Sequence, residues 1–372
     1  MTPELRALAS RALGVVPESM LSWTCLKEHP RSATVWRALG QGGALVLKQH
    51  RHPRPFAQEL RAYRDWLPRL AALATGEAPD PPADTRRETP ALAGLSGPPS
   101  SDAPGDARGH DMSPRTDALA APRASPGELT RHLSPRENGP TTDHSSSGAI
   151  DMSPGTCHLT HVPVRVPALL AFDLSARALA LAVAPGERLS LAPGERPDAH
   201  AAAGRFLRDL HALQVADDDP VPLRDAIATR LAEWHARADG LLSPTERDAL
   251  QRLAGCRDAF TGVARVPCHR DFTPDNWLLA DDALHVLDFE HARLDAPEAD
   301  LVKLRAEVWS DSPALEHAFL GGHGPLSADA TARLDVLLAL HAVATLAWAQ
   351  RHADVRFQAL GRQALAVALA SA

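Results

Sequence analysis

The alternation of hydrophobic and polar positions in the first part of the chain predicts two strands followed by a helix. The strands are TVWRALG (34–40) and GALVLKQH (43–50), which a glycine-rich turn separates. From residue 53 to residue 70, apolar side chains recur every three or four positions, and Pro55 suits the first turn of a helix. We therefore expect a strand pair followed directly by one amphipathic helix.

The later part of the chain changes from a strand pattern to a helical pattern. VPALLAFD (166–173) and ALALAV (178–183) predict a second strand pair, after which APGER (184–188) breaks the pattern. Helices are then predicted over 199–213, from Ser243 to about Phe260, from Ser327 to Leu346, and over 354–370. This order predicts an α+β protein with two lobes, a small N-lobe with an antiparallel sheet and a larger helical C-lobe.

Residues 75–160 differ in composition from the rest of the chain. They contain thirteen prolines, nine glycines and ten serines, and no Phe, Trp or Tyr. Such a segment cannot bury enough apolar surface to offset the entropy of ordering it. We therefore predict a disordered insertion that divides the N-lobe into residues 1–74 and 161–185, followed by a C-lobe over 186–372.

Composition and charge argue against several classes of protein. The net charge of the 372-residue chain is −7, which gives no basis for expecting nucleic acid as a partner. The chain has neither an N-terminal apolar segment typical of a signal peptide nor a run of eighteen apolar residues. Its four cysteines lie far apart, without metal-ligand spacing. We expect a cytoplasmic protein with free thiols and no membrane span, whose oligomeric state stays open.

Two residue types are unusually rare in this sequence. Arginine outnumbers lysine 36 to 3, and asparagine occurs only at Asn138 and Asn276. Such a ratio is typical of a GC-rich genome, in which arginine replaces lysine wherever either base serves. The three remaining lysines, Lys27, Lys48 and Lys303, and the two asparagines are therefore candidates for positions where the chemistry requires that side chain.

The chemically most informative segment is a short β region inside the helical part. Trp277–Leu279 and Leu284–Phe289 are apolar runs on either side of ADDA (280–283), which suits a hairpin turn. Counted back from that turn, Asn276 and Asp288 lie opposite one another within one residue, so their Cβ atoms are expected about 5 Å apart. The hairpin thus predicts an amide oxygen and a carboxylate side by side at its open end.

These side chains suit phosphoryl transfer. Mg²⁺ prefers hard oxygen ligands from one or two side chains, with phosphate oxygens and water completing its coordination. Asn276 and Asp288 are therefore the predicted metal ligands, and Asp271 in the preceding loop is the predicted catalytic residue, which orients an acceptor hydroxyl and takes its proton. His269 is expected to support the loop by hydrogen bonding.

The segments CHRDFTPDNWLL (268–279), HVLDFEHARL (285–294) and DAPEADL (295–301) resemble those of the aminoglycoside phosphotransferase and choline kinase-like family, relatives of the protein kinases. The resemblance implies a bilobal protein kinase-like fold, ATP and Mg²⁺ as cofactors, and Asp300 as a buried residue that braces the C-lobe. Glu290 follows Asp-Phe where many relatives have glycine. Because the metal ligand is the aspartate, we expect this difference to leave activity intact.

The N-terminal half contains a lysine and a glutamate in the order that a kinase-like fold needs. Lys48 lies near the end of a predicted strand, and Glu59 follows eleven residues later in the helix. The resemblance implies that they form the ion pair that contacts the nucleotide phosphates. A phosphate-covering turn is expected near residues 26–32, with Ser32 and Arg31 as nucleotide contacts, and adenine near the hinge at residues 182–186.

Two functional classes fit these residues. The first is an ATP- and Mg²⁺-dependent phosphotransferase that acts on a hydroxyl of an aminoglycoside-, amino alcohol- or sugar-like small molecule. The alternative is a nucleotide-binding pseudokinase that acts as a partner or scaffold protein. The intact set of active-site residues argues against the alternative, because pseudokinases usually lose one of them.

The identity of the acceptor stays open in the sequence. A polycationic acceptor would need a wall of carboxylates below the transferred phosphoryl group. Candidates for such a wall are Asp295, Glu298, Asp311 and Glu316. An ordinary solvated face is the favoured interpretation of these four residues.

Overall fold

A computed structural model describes residues 1–14, 21–29, 32–75, 162–280 and 283–370. They belong to a compact unit that comprises Met1–Ser113 and His161–Ala372. The predicted insertion, residues 75–160, lies outside the described residues apart from Thr75.

A five-stranded antiparallel sheet forms the core of the first lobe. The first six strands of the chain are β1 (Ser22–Glu28), β2 (Ala33–Gly40), β3 (Gly43–His50), β4 (Val164–Arg165), β5 (Leu169–Asp173) and β6 (Ala178–Ala182). Five of them form this sheet in the order β1–β2–β3–β6–β5. Both strand pairs predicted from the hydrophobic pattern are therefore confirmed, and β3, which carries Lys48, lies at the centre.

An N-terminal helix, α1 (Pro3–Leu13), packs on this sheet. Leu5 and Leu8 of α1 are fully buried in one apolar cluster with Leu45 and Leu47 of β3. Burial of a leucine side chain stabilises a fold by roughly 1.5–3 kcal/mol. The helix therefore supports the central strand from the side.

The predicted helix after β3 is present, but it is not uniform. It consists of α2 (Pro53–Arg61), a π-helical turn (Ala62–Trp66) and α3 (Leu67–Thr75). Most of its apolar positions are buried, including Phe56 and Tyr63, whereas Leu73 near its end is exposed. Glu59 on α2 is only 1% exposed, and a carboxylate is stable at such a position only with charged or hydrogen-bonding partners.

Two small sheets hold the loop of residues 269–276, which carries the predicted catalytic residue Asp271 and is called the catalytic loop below. Their strands after β6 are β7 (Glu187–Arg188), β8 (Val266–Cys268), β9 (Trp277–Leu279), β10 (Leu284–Val286) and β11 (Arg293–Asp295). One sheet has the order β4–β10–β9–β7, and the other pairs β11 with β8. The sequence pattern does not reveal β4 or β7, because two residues are too few to show a periodicity.

Helices build the second lobe. They are α4 (Pro197–His211), α5 (Leu223–Ala238), α6 (Pro244–Gly255), α7 (Val302–Leu304), α8 (Pro313–His323), α9 (Ala328–His352) and α10 (Val355–Ala370). The capping box at the start of α6 is formed, because the Ser243 side chain accepts from the Glu246 N–H and the Glu246 carboxylate accepts from the Ser243 N–H. The predicted α+β architecture with a helical second lobe is confirmed.

Helix α9 is the central helix of this lobe. By length and composition alone it could cross a membrane, but 67% of its most apolar stretch is buried inside the protein. Leu337, Leu338 and Leu340 are among its buried side chains, and α10 and α5 pack on it. Such burial is typical of the core helix of a helical lobe.

Helices α4 and α8 cross at two glycines. A Cβ atom on Gly204 would overlap the carbonyl oxygen of Phe319, and one on Gly322 would overlap the carbonyl oxygen of Ala201. Only glycine permits so close an approach of two backbones. The crossing fixes α4, which carries side chains that lie against the catalytic loop.

Candidate active site

The predicted hairpin is formed by β9 and β10. Leu279 pairs with Leu284 and Trp277 with Val286, and the Leu287 N–H donates to the Asn276 carbonyl at 2.9 Å. Leu287 therefore lies opposite Asn276, and Asp288 is the next residue, as the count from the turn predicts. Asp281 and Asp282 of the turn lie outside the described residues.

Asn276 fixes the carboxylate of Asp271. Its amide nitrogen donates to the backbone carbonyl of Asp271 at 2.8 Å and to Asp271 Oδ2 at 3.0 Å. Because the nitrogen is turned toward Asp271, the amide oxygen points the other way. Arg270 and Asp288 both have left-handed backbones, with φ of 68° and 67°. Non-glycine residues in this conformation are often found at functional sites, where the surrounding structure holds them.

His269 and Asp300 hold the loop from below. His269 is fully buried, donates from Nε2 to the Leu287 carbonyl at 2.8 Å, and accepts from the Asp271 N–H at Nδ1 at 3.2 Å. Asp300 accepts from the N–H groups of His269 and Arg270 and from His211 Nε2 at 3.0 Å. Burial opposes the ionised form of Asp300, but the hydrogen bond and charge of His211 outweigh it and lower its pKa.

Replacement of Asp300 by alanine is expected to destabilise the protein by about 2–4 kcal/mol at pH 7, because two backbone N–H groups would lose their acceptor. Asp300 contributes to the free energy of unfolding fully at a pH above the pKa that it has in the unfolded chain. This contribution is lost as the pH falls through the lower pKa that it has in the folded protein. Chemical denaturation at pH 7 measures the loss. The control is Asp209→Ala, which removes an exposed ion pair with Arg208 and should cost no more than about 0.5 kcal/mol.

Lys48 lies among three carboxylates. Its Nζ is 2.8 Å from Glu59 Oε2, 2.6 Å from Asp288 Oδ1 and 2.9 Å from Glu290 Oε2. His50 Nε2 is 2.8 Å from the same oxygen of Glu59. Burial opposes the charge on Lys48, but the three carboxylates outweigh it and raise its pKa well above the ordinary value. The predicted Lys48–Glu59 pair is formed, and Lys48 also connects the first lobe to the hairpin of the second.

Asp288 and Asn276 offer donors that fit Mg²⁺. Burial opposes ionisation of Asp288, but Lys48 and Lys27 outweigh it and lower its pKa well below the ordinary value. An ionised carboxylate and an amide oxygen are both hard-oxygen donors of the kind that Mg²⁺ prefers. The side chains present therefore suit the ion that the sequence predicts.

Lys303 also lies at this site, and the sequence did not reveal its partner. Its Nζ lies 2.6 Å from Asp271 Oδ1. The scarcity of lysine marked Lys303 as unusual, but nothing in the pattern connected it to Asp271. The charge of Lys27 also lowers the pKa of Asp288. Each of the three lysines of the chain thus acts on Asp271 or Asp288, the two aspartates that the sequence predicts for catalysis and metal binding.

The predicted phosphate-covering turn differs from expectation. Strand β1 extends through Glu28, so the turn is shorter than residues 26–32. Ser32 is 2% exposed; its N–H donates to His29 Nδ1 at 3.2 Å and its carbonyl accepts from the Arg51 N–H at 2.8 Å. These contacts do not connect it to Lys48, so its role with nucleotide stays a prediction. Arg31 lies outside the described residues.

The hinge packs directly on the catalytic hairpin. Gly186 has φ of +105°, and a Cβ atom there would lie 2.5 Å from the carbonyl oxygen of Leu279. A side chain at this position would therefore push the hinge away from β9. Gly186, at the end of the segment where adenine is expected, thus lies against the turn end of β9.

The predicted solvated acidic face is wrong for two of its four members. Asp295 and Glu298 are each only 3% exposed. Asp295 lies 3.1 Å from Arg293, and Glu298 lies 2.6 Å from Arg333. They are buried because these guanidinium groups neutralise them, which a count of charges along the chain cannot show.

A cavity of about 390 Å³ adjoins the catalytic loop. Thr273, Pro274 and Asp275, which follow Asp271 in the chain, form one wall. The other walls carry three further carboxylates and one guanidinium, from Glu195, Glu307, Asp311 and Arg196. Arg196 is paired with Asp198 at 2.9 Å, so the cavity presents mainly negative charge.

Comparison with protein families gives a match over the part of the chain that contains Asp271, Asn276 and Asp288. Residues 157–337 match the model of the Phosphotransferase enzyme family. That range includes the catalytic loop, the hairpin, Asp300 and Lys303. Among curated proteins no match to the chain is found.

Solved structures of phosphotransferases share the fold over nearly the whole chain. APH(2")-IIia in complex with GDP and kanamycin has a TM-score of 0.57 and 13% identity, over 100% of this chain and 99% of that one. A thermostable mutant of APH(4)-Ia with ADP and hygromycin B gives 0.56 and 12%, over 99% and 98%. Macrolide 2'-phosphotransferase MphH from Brachybacterium faecium gives 0.50 and 16%, over 97% and 96%. The predicted kinase-like fold is confirmed.

Proposed function

We propose that this chain is a phosphotransferase that transfers the γ-phosphate of ATP, with Mg²⁺, to a hydroxyl group of a small molecule in the cytoplasm. The observation that carries the proposal is the contact of Lys48 Nζ with Asp288 Oδ1 at 2.6 Å. It joins a lysine of the first lobe to the predicted metal ligand, 240 residues later in the chain. Phosphoryl transfer needs these groups together, because catalysis consists of positioning and charge stabilisation.

Each residue of the centre has a role that follows from its position. Lys48, held by Glu59, supplies a positive charge for the nucleotide phosphates. Asp271 accepts a hydrogen bond from the acceptor hydroxyl and takes its proton as the oxygen attacks phosphorus. Asn276 and Asp288 would hold Mg²⁺, which when bound neutralises charge on the phosphates. His269 and Asp300 keep the loop that carries Asp271 in place.

The acidic cavity supports an acceptor that bears an amine as well as a hydroxyl. Its carboxylates lie beside the loop of Asp271, where an acceptor must bind to present its hydroxyl. His200, which also lines the cavity, is 3% exposed, and burial lowers its pKa to about 4, so it adds no positive charge. Two similar structures contain kanamycin and hygromycin B, which is in keeping with such an acceptor.

A panel of acceptors tests the proposal. Transfer of labelled γ-phosphate from MgATP is measured with kanamycin, hygromycin B, choline, homoserine, glucosamine and glucose, and GTP is compared as donor. Glucosamine and glucose form a matched pair that differs only at C2, where glucosamine has an amine and glucose a hydroxyl. We expect kcat/KM to be about tenfold higher for the amine, the effect of one charge-assisted contact.

Two results would contradict parts of the proposal. Transfer to glucose as fast as to glucosamine would exclude a preference for amines. No transfer to any acceptor, together with tight nucleotide binding and no ATP hydrolysis, would favour a pseudokinase that acts as a partner protein.

A further inference from the structure

Lys303 makes the shortest of the described contacts to the predicted catalytic carboxylate. It lies in α7, three residues after Asp300, and its Nζ is 2.6 Å from Asp271 Oδ1. The other carboxylate oxygen, Oδ2, accepts from the Asn276 amide at 3.0 Å. The carboxylate of Asp271 is therefore held at both oxygens, which fixes its rotation.

The other charged groups near this pair have partners of their own. Arg270 directs its guanidinium to Asp295 at 3.4 Å and to the Ala299 carbonyl at 3.3 Å. Asp288 is bound by Lys48. His341 of α9 faces the pair, and burial together with the charges of Lys303 and Arg270 lowers its pKa to about 3, so it is neutral. Lys303, in contrast, directs its charge to Asp271 itself.

The identity of this residue as lysine is informative. Thirty-six of the thirty-nine basic residues are arginine. The side chain of Lys303 is 28% exposed and that of Asp271 13%, so the pair lies at the edge of the cleft where an acceptor must approach. A guanidinium is wider and planar, and its fork would compete with the acceptor hydroxyl for both carboxylate oxygens. A single ammonium group leaves the remaining lone pairs of Asp271 accessible.

We propose that Lys303 is a positioning residue for phosphoryl transfer, which fixes the Asp271 carboxylate so that its accessible lone pairs receive the acceptor hydroxyl. This inference rests on the proposed function. In the transfer, the acceptor O–H bond breaks and its proton passes to Asp271, while the acceptor oxygen bonds to the γ-phosphorus and the bond from that phosphorus to the β–γ bridging oxygen breaks. Nucleoside diphosphate is the leaving group.

Chemical replacement of the amino group tests this role. In Lys303→Cys, alkylation with 2-bromoethylamine rebuilds a side chain with a terminal amine, whereas alkylation with iodoacetamide leaves a neutral one. Hydrolysis of MgATP, with water as acceptor, gives kcat and KM without knowledge of the natural substrate. Wild-type protein treated with both reagents is the control, because Cys25 and Cys256 are exposed and will also react.

We expect Lys303→Cys and Lys303→Met to lower kcat about 100-fold, the cost of a misplaced catalytic group, with KM for MgATP within about twofold of wild type. The aminoethylated variant should regain most of the lost kcat and the carboxamidomethylated variant none. The kcat of Lys303→Arg should lie between that of wild type and that of Lys303→Met.

Equal kcat in wild type and Lys303→Met, or equal recovery with both reagents, would overturn the role of Lys303. A melting temperature within about 2 °C of wild type for each variant excludes a general loss of folding. If wild type itself neither hydrolyses ATP nor transfers phosphate, the proposed function fails, and that outcome is distinct from failure of this inference.

Discussion

Replacement of Asp271 by alanine is expected to lower kcat for phosphoryl transfer about 1,000-fold, within the range for loss of a general base. The variant loses the group that orients the acceptor hydroxyl and takes its proton. It keeps Lys48, Glu59 and Asp288, whose mutual contacts do not involve Asp271. The dissociation constant of MgATP, measured by calorimetry, should therefore change by less than about threefold.

Two further variants make this result specific. Asp271→Asn keeps the volume of the side chain but cannot accept the proton, so its kcat should fall nearly as far as that of Asp271→Ala. Asp209→Ala removes an exposed carboxylate of α4 and should leave kcat unchanged. If Asp271→Ala hydrolyses MgATP as fast as wild type, the hydrolysis does not arise from this site, and the kinase interpretation fails.

Replacement of Asp288 by asparagine is expected to weaken binding of MgATP about 100-fold, which corresponds to about 2.7 kcal/mol. The neutral amide is a poorer ligand for a divalent cation than the carboxylate of Asp288, whose pKa the charges of Lys48 and Lys27 lower. Affinity for ATP is measured with Mg²⁺ and with EDTA. The loss should appear mainly with Mg²⁺, because the missing group acts on the metal.

Glu290→Gln is the matched control for this experiment. Glu290 contacts Lys48 at 2.9 Å, close to the 2.6 Å of Asp288, so each substitution removes one carboxylate from the same lysine. If Asp288 holds the metal and Glu290 does not, Glu290→Gln should change the affinity for ATP by the same factor whether Mg²⁺ or EDTA is present. Equal dependence on Mg²⁺ in both variants would show that Asp288 has no special role as metal ligand.

The sequence was sufficient to predict the parts of this protein that depend on residues close together in the chain. The hairpin and the order of Asp271, Asn276 and Asp288 could be predicted, because strand pairing across a short turn fixes which residues are opposite. Four helices of the second lobe, α4, α6, α9 and α10, could be predicted from caps and periodicity, as at Ser243, whereas α5 (Leu223–Ala238) and α8 (Pro313–His323) were not. Lys48 and Glu59 were predicted to form an ion pair because proteins of the family that the sequence resembles have a lysine and a glutamate in this order.

Only the tertiary structure decided which distant side chains meet. Lys303 reaches Asp271 across 32 residues, Glu290 reaches Lys48 across two lobes, and Asp295 and Glu298 are buried on arginines rather than solvated. The same holds for β4, which pairs with β10 after a gap of more than a hundred residues. Such contacts depend on how whole elements pack, and packing is a property of the folded chain as a unit. The spacing of hydrophobic residues along the chain does not reveal how the elements pack. The cavity beside the catalytic loop is therefore also visible only in three dimensions.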